Sequence, residues 1–179
     1  MSEMLILVNE QDQEVGVEEK LIVHQTGKLH RAFSIFIFRQ YNGRQELLLQ
    51  QRNVVKYHCG GLWSNTCCGH PRVGENIIAA GQRRLQEEMG FTTKLFHLDS
   101  FNYYADCNNG LVEHELDHVL VGCYQNELAA VNAQEAQDFR WVALVELEQE
   151  LAAKPEVFTP WFAKALAVVN MHNEEVALL

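Results

Sequence analysis

Basic residues are scarce in this sequence, where 14 Lys and Arg stand against 24 Asp and Glu and the formal net charge is −10. General nucleic-acid binders hold the phosphate backbone with clustered Lys and Arg, which this composition does not supply. We therefore expect no nucleic-acid partner. An anionic ligand would have to be held by a few cations in one place.

Long hydrophobic segments are also missing. The opening residues, MSEMLILVNEQD, contain only a short apolar run, without the basic start of a signal peptide or the length of a membrane span. This favours a cytoplasmic protein with no membrane partner. The odd number of cysteines, without a secretory context, favours reduced thiols over a disulfide framework; they are Cys59, Cys67, Cys68, Cys107 and Cys123.

Repeats, low-complexity tracts and linkers are absent from the chain of 179 residues, of which 47% are hydrophobic. These properties predict one α+β domain over residues 1–179. Periodicity predicts strands at 4–8, 31–39, 46–51, 99–105, 112–124 and 139–143, and helices at 75–89, 146–153 and 160–172. The dipeptide Asn42-Gly43 indicates a hairpin, Gly90 a helix end, and 24–30 a loop.

The stretch Gly69–Phe91, GHPRVGENIIAAGQRRLQEEMGF, resembles the Nudix box Gx5Ex7REUxEExGU at every position but one. Arg84 stands where that box has a glutamate. Since Arg84 and Glu88 are four residues apart, a cation and a carboxylate share one helical face and could meet a metal-bound diphosphate. The alternative is a solvated helix with the pairs Arg83–Glu87 and Arg84–Glu88.

A second acidic motif lies in LVEHELDHV. Glu113 and Glu115 project to the same side of a strand, where two carboxylates repel unless a cation or a proton lies between them. Imidazoles from His24, His30 and His70 would make a mixed N/O site for Mn²⁺, Zn²⁺ or Mg²⁺. The other histidines are assigned ordinary surface or core roles, and His114 and His118 should face away from the glutamates; this group is His58, His97, His114, His118 and His172.

Taken together, the segments LIVHQTGKLHRAFSIFIF, LWSNTCCGHPRVGE, RRLQEEMGF, FNYYA, LVEHELDHV and FTPW resemble the type 1 isopentenyl diphosphate isomerases, from about residue 20 to residue 161. The resemblance implies a Nudix-like mixed sheet flanked by helices. It also implies an enzyme of isoprenoid biosynthesis that interconverts isopentenyl and dimethylallyl diphosphate.

The same resemblance implies roles for individual residues. The first metal would have five ligands, namely His24, His30, His70, Glu113 and Glu115. Glu88 and the backbone carbonyl of Cys68 would help hold a Mg²⁺ bound to the substrate diphosphate. The diphosphate itself would be bound by Lys20, Arg52, Lys56 and Arg84.

The implied catalytic groups are Cys68 and the pair Glu115–Tyr103. Isomerisation of an alkene needs a proton added at one carbon and removed from another through a carbocation, so two acid–base groups are required. Trp161 would stabilise the cation with its ring by about 1–2 kcal/mol; its alternative role is core packing. Residue chemistry alone does not separate Cys68 from its neighbour Cys67, and the tail after Trp161 has no clear match in the family.

Three rival functions are considered. A Nudix pyrophosphohydrolase is weakened by Arg84, because the missing glutamate helps such enzymes assemble metals around the pyrophosphate. A Cys–His thiol hydrolase would use Cys68 and His70, which are too close in sequence to diagnose a dyad. A catalytically inactive binding module would hold metal without turnover. The expected partner is a small allylic or homoallylic diphosphate, and the expected oligomeric state is a monomer or a weak homodimer.

Overall fold

The computed structural model describes residues 3–56, 59–107, 110–128 and 130–179. The strands within these ranges are β1 (Met4–Val8), β2 (Glu14–Glu19), β3 (His30–Tyr41), β4 (Arg44–Arg52), β5 (Trp63–Ser64), β6 (Cys67–Gly69), β7 (Leu95–Cys107), β8 (Leu111–Cys123) and β9 (Ala136–Ala143). The helices are α1 (Lys20–Thr26), α2 (Ile77–Met89), α3 (Leu144–Ala153), α4 (Phe162–Met171) and α5 (Asn173–Val176), with a 3₁₀ turn at Pro155–Val157.

Strand β3 organises the sheet. One edge of β3 pairs in parallel with β8 from His30 to Phe38, and its other edge pairs antiparallel with β1, β6 and β4 in turn. Strand β7 extends the sheet beyond β8, β9 extends it beyond β4, and the short β5 pairs with the edge of β4 that also pairs with β3. The sheet is therefore mixed, as predicted.

Side chains of β3 alternate between two cores because successive residues of a strand point to opposite faces. Phe33, Ile35 and Ile37 pack with Leu85 and Met89 of α2. The even-numbered Phe36 and Phe38 pack on the opposite face with α4, through Phe162 and Leu166, and with Val119 and Val121 of β8. Helices thus cover both faces, which confirms the predicted α+β architecture.

Two local signals in the sequence have the predicted geometry. Asn42 and Gly43 have φ values of 50° and 74°, the left-handed backbone of a tight hairpin between β3 and β4. Gly90, at φ 77°, ends α2. Helix α2 begins at Ile77, two residues later than predicted, because the Asn76 side chain caps it by accepting hydrogen bonds from the backbone N–H groups of Ile78 and Ala79.

The predicted loop at 24–30 is wrong in its first part. Helix α1 runs from Lys20 to Thr26 and ends at Gly27, whose φ of 64° is left-handed. A seven-residue helix is too short to be stable by itself, so contacts with the rest of the molecule decide it; Val23 and His24 are its buried residues. The strands β2, β5 and β6 also lie outside the predicted elements. No helix in the described part of the chain is long and apolar enough to cross a bilayer.

Candidate active site

A cavity of about 380 Å³ opens beside β3, β6 and β8. Ten residues that the sequence nominated line it, and they come from six separate parts of the chain; they are Lys20, Arg52, Lys56, Cys68, His70, Arg84, Glu88, Glu113, Glu115 and Trp161. His24, His30 and Tyr103 are buried and are not among the lining residues. These ten residues are spread along the chain from α1 to the start of α4. They come together only when the sheet folds.

The alternation of β8 produces the acidic side of the cavity. Glu113, Glu115 and Asp117 share a face with Val119 and Val121, which belong to the apolar core under α4. One strand face therefore passes from hydrocarbon at its carboxyl end to three carboxylates at its amino end.

Three histidines meet the two glutamates. His24 Nε2 lies 3.2 Å from Glu113 Oε2, and His70 Nε2 lies 3.2 Å from Glu115 Oε1. His30 is directly opposite Glu115 in the parallel β3–β8 register, with 3.7 Å between Nε2 and Oε1. Donor atoms of His24, His30 and His70 lie within 4.8 Å of one another, as do those of His30, Glu113 and Glu115.

The ring orientations of two of these histidines suit metal binding. His24 Nδ1 lies 2.6 Å from the Lys20 carbonyl oxygen, and His30 Nδ1 lies 3.0 Å from the Lys28 carbonyl oxygen. Because a carbonyl only accepts, each Nδ1 carries the proton, and in the neutral ring Nε2 presents a lone pair toward the glutamates. Lone pairs facing carboxylates require a proton or a cation between them, so the donor set fits a divalent metal.

Charge and burial oppose each other at this cluster. Burial disfavours the charged form of His24, but the hydrogen bond and the charge of Glu113 raise its pKa above the ordinary value. Burial likewise favours the neutral form of Glu115, yet the hydrogen bond and the charge of His30 lower the pKa of that carboxyl. Neighbouring groups of opposite charge therefore favour the charged forms of His24 and Glu115.

Tyr103 lies directly across the β7–β8 pair from Glu115, so their side chains share a face. In the part of the chain that the structure describes, the buried Tyr103 hydroxyl has no hydrogen-bond partner. Burial, and with it the negative charge of Glu115, raises the pKa of Tyr103 above its usual value. The phenol stays protonated at neutral pH and can donate a hydrogen bond into the site.

The two adjacent cysteines point in opposite directions from β6. Cys67 is fully buried in the core under α2. Cys68 lines the cavity, where its Sγ lies 3.2 Å from Asn65 Oδ1 and 3.7 Å from Ser34 Oγ. Burial and the charge of Asp117 raise the pKa of the Cys68 thiol to about 12, so it is protonated at neutral pH.

Three polar residues beside Cys68 were missed by the sequence analysis. Ser34 Oγ donates to Asp117 Oδ2 at 2.7 Å, and Asn65 contacts the thiol. Glu113, Glu115 and Asp117 are spaced two residues apart in the sequence, and such residues share a face of a strand. This spacing could have identified Asp117 as a third carboxylate of the site. No sequence signal links Ser34 to Cys68, because β3 and β6 meet only in the folded sheet. Asn65 precedes Cys68 by three residues within the quoted segment LWSNTCCGHPRVGE.

The cations around the cavity are paired with carboxylates. Lys20 Nζ lies 2.8 Å from Glu3 Oε2, and Lys56 contacts Glu135. Arg84 donates to Glu87 Oε2 at 2.6 Å, contacts Glu88, and lies 3.5 Å from Glu135 Oε1. The alternative pairs Arg83–Glu87 and Arg84–Glu88 are both present, yet Arg84 also lines the cavity.

Glu88 is almost completely buried, and its Oε2 accepts a hydrogen bond of 3.0 Å from Gln50 Nε2. Trp161 is buried beside Tyr103, with ring centroids 6.4 Å apart in an edge arrangement. The guanidinium of Arg52 lies 5.4 Å from the Trp161 ring centroid. Trp161 therefore both packs in the core and forms part of the cavity wall.

The other histidines lie apart from this cluster. His97 Nε2 contacts His118 Nδ1 at 2.9 Å on the opposite face of β8, and His114 Nδ1 contacts the Gly27 carbonyl oxygen at 2.9 Å. His172 Nδ1 lies 3.1 Å from Glu175 Oε1 near the end of the chain. His58 lies outside the described residues.

Comparison with known proteins identifies a domain family and solved structures that this chain resembles. The family model for the NUDIX domain matches residues 28–162. A crystal structure of a Deinococcus radiodurans protein has a TM-score of 0.68 at 21% identity, covering 93% of this chain and 97% of that one. A MutT NUDIX hydrolase of Burkholderia pseudomallei has a TM-score of 0.61 at 23% identity, covering 79% and 98%. These structural likenesses show the fold.

Sequence relatives are nearer. The chain is 50% identical over 175 residues to the isopentenyl-diphosphate Delta-isomerase of Serratia proteamaculans, covering 98% of this chain and 96% of the relative. It is 47% identical over 175 residues to isopentenyl-diphosphate Delta-isomerase 2 of Photorhabdus laumondii, covering 98% and 97%. With the NUDIX domain and this identity over nearly its full length, the chain belongs to the type 1 isopentenyl-diphosphate Delta-isomerases.

Proposed function

We propose that this enzyme interconverts isopentenyl diphosphate and dimethylallyl diphosphate. The full-length relatives carry that activity in their names, and the predicted function agrees with them. One observation supports it from this chain itself. Three members of a His/Glu metal-type cluster, a protonated thiol and the basic side chains of Lys20, Arg52, Lys56 and Arg84 all border one cavity.

The proposed ligands of the first metal are His24, His30, His70, Glu113 and Glu115, whose nitrogen and oxygen donors fit a divalent ion. A divalent ion held there would supply Lewis acidity and would fix which oxygen of Glu115 can carry a proton. The nitrogen-rich donor set suits Mn²⁺ or Zn²⁺ better than Mg²⁺, which prefers oxygen.

The proposed diphosphate end of the cavity contains Lys20, Arg52, Lys56 and Arg84. A Mg²⁺ ion held by Glu88, the Cys68 carbonyl and the substrate would complete it. Lys20, Lys56 and Arg84 have carboxylate partners at Glu3, Glu87, Glu88 and Glu135, so the diphosphate must exchange ion pairs at these residues. The diphosphate takes no part in the chemistry, and its binding positions the hydrocarbon and excludes water.

The proposed proton transfers use Cys68 and Glu115. One group adds a proton to the terminal alkene carbon and gives a tertiary carbocation. The other group removes a proton from the chain carbon that lies on the other side of the cationic carbon. Tyr103, opposite Glu115 in the sheet, would donate its hydroxyl proton in a hydrogen bond to that carboxylate. The Trp161 ring would face the cation and stabilise it by about 1–2 kcal/mol.

Nuclear magnetic resonance of isopentenyl diphosphate incubated with the protein, Mg²⁺ and Mn²⁺ in D2O tests the function. We expect dimethylallyl diphosphate to form with deuterium in a methyl group, because the added proton comes from exchangeable groups. Phosphorus spectra of the same samples measure hydrolysis. Release of inorganic phosphate without alkene movement would establish the pyrophosphohydrolase instead, and an unchanged substrate with bound metal would establish the inactive binding module.

A further inference from the structure

A single buried amide connects the two cavity walls that carry Cys68 and Trp161. Asn65 is completely buried in the turn between β5 and β6. Its Oδ1 lies 3.2 Å from Cys68 Sγ, 3.2 Å from Trp161 Nε1 and 3.0 Å from Ser64 Oγ. One oxygen therefore accepts from a thiol, an indole and a hydroxyl.

The chemistry of its neighbours determines the orientation of this amide. Asn65 Nδ2 donates to the Ile35 carbonyl at 3.2 Å and to the Cys67 carbonyl at 2.9 Å, and carbonyl oxygens only accept. On the other side, Trp161 Nε1 only donates. Exchanging the nitrogen and oxygen of Asn65 would place donor against donor and acceptor against acceptor, so Oδ1 must face Cys68 and Trp161.

We propose that Asn65 is a positioning residue of the isomerase, holding the Cys68 thiol and the Trp161 ring in a fixed arrangement beside the cavity. This inference rests on the proposed function. The thiol has a second acceptor, Ser34 Oγ, at 3.7 Å, but Asn65 Oδ1 is nearer. Asn65 also bonds to the backbone on both sides of the thiol, at Ile35 of β3 and at Cys67, so its oxygen is held fixed relative to the strand that carries Cys68.

The relative position of Cys68 and Trp161 matters for this reaction. The thiol must exchange a proton with one carbon of the substrate while the indole ring faces the neighbouring cationic carbon. Displacement of a reacting group by about 1 Å can cost about 10²-fold in rate. Asn65 does not line the cavity. Its loss should therefore lower kcat and leave the KM for the diphosphate nearly unchanged, since Lys20, Lys56 and Arg84 are untouched.

Three variants in the isomerase assay test the proposal. Asn65→Leu keeps the branched shape of the side chain and removes every side-chain hydrogen bond, and we expect kcat to fall about 10²-fold while KM changes less than about threefold. Asn65→Asp keeps an oxygen at the same place; its buried carboxyl would stay neutral and donate to the Cys67 carbonyl. We expect its kcat to exceed that of Asn65→Leu by about tenfold or more.

Ser64→Ala is the matched control. Ser64 is equally buried and donates to the same Oδ1, and its hydroxyl oxygen also lies 3.2 Å from Thr159 Oγ1. We expect its kcat to stay within about threefold of the parent value, because the hydroxyl is not part of the proposed reaction site. Circular dichroism and thermal melting of each variant report folding separately from turnover.

The outcomes distinguish a positioning role of Asn65 from a role in stability alone. A folded Asn65→Leu variant with kcat within about threefold of the parent would overturn the proposal, as would parallel losses of kcat in Asn65→Leu and Ser64→Ala that follow their melting temperatures. If Asn65→Leu does not fold, Asn65→Ser replaces it, with the same expected loss and the same contrary result. The parent enzyme runs in every assay, so an inactive parent would refute the proposed function, whereas an active parent with an unaffected variant would refute only the role of Asn65.

Discussion

At the scale of single residues, β6 separates two neighbouring thiols. Cys67 is buried against α2, and Cys68 borders the cavity. Successive residues of an extended segment point to opposite faces, which accounts for this opposition. The roles of the two thiols remain a prediction.

The thiol variants give the first test. Cys68→Ala should lose about 10²–10⁴-fold in turnover, the usual cost of removing a positioned acid or base. Cys67→Ala should keep most of its activity and instead lose some stability, because it leaves a small cavity in the core. Turnover, bound metal and melting temperature are measured for both. An inactive Cys67→Ala beside an active Cys68→Ala would reverse the assignment, and two active variants would exclude thiol catalysis.

Glu113 and His114 are consecutive residues of β8 that face opposite ways. Glu113→Gln should weaken metal retention, since it removes the negative oxygen that lies 3.2 Å from His24 Nε2. His114→Gln is the control on the opposite face and should keep its metal. Metal content after dialysis against a weak chelator is the measurement. Equal retention in both variants would remove Glu113 from the proposed ligand set.

At the scale of elements, an ion pair fastens the loop before α2 to the helix. Glu75 accepts two hydrogen bonds of 2.8 Å from Arg83, and its Oε2 also accepts one of 2.9 Å from the backbone N–H of Arg72. The hydrogen bond from Arg83 is the largest cause that lowers the pKa of Glu75 from 4.5 to about 2. This loop joins β6, which carries Cys68, to the helix that carries Arg84 and Glu88.

The stability that Glu75 contributes should depend on pH. Because its pKa is lower in the folded state, the contribution is complete above about 4.5 and disappears as pH falls toward 2. Glu75→Gln should lower the free energy of unfolding by about 1–2 kcal/mol at pH 7, and the difference from the parent should shrink below pH 4.5. Urea unfolding across this range measures it. The exposed pair Arg44–Glu146 supplies the control Glu146→Gln, which should change little. A constant difference at every pH would contradict the assignment.

At the scale of the whole molecule, the proposed first metal joins α1, β3, β8 and the segment after β6, which carry His24, His30, Glu113, Glu115 and His70. A ligand that binds only the folded state stabilises it. The metal should therefore act on the whole fold as well as on turnover.

Removal of metal should abolish isomerase activity, and adding Mn²⁺ or Zn²⁺ should raise the melting temperature of the metal-free protein. Glu113→Gln should show a smaller rise at the same metal concentration, which separates the protein site from Mg²⁺ bound with the diphosphate. Full turnover by protein shown to be metal-free would contradict the proposed metal dependence.

Much of the framework could be predicted from the sequence, because local rules act on few residues. The alternation of β3 and β8, the Asn42-Gly43 hairpin and the end of α2 at Gly90 are confirmed. The motif segments, with their spacing, identified the family. The shared face of Glu113 and Glu115 follows from strand geometry alone.

The tertiary structure alone decided what depends on long-range contact. Helix α1, whose last three residues were predicted as loop, is too short to form without its packing, and it brings His24 to Glu113. The pairing of β3 with β8 brings Ser34 to Asp117, 83 residues later, and the approach of α4 brings Trp161 to Asn65, 96 residues away. Periodicity reports which face a side chain occupies; which distant face it meets depends on the packing of the whole sheet and its helices.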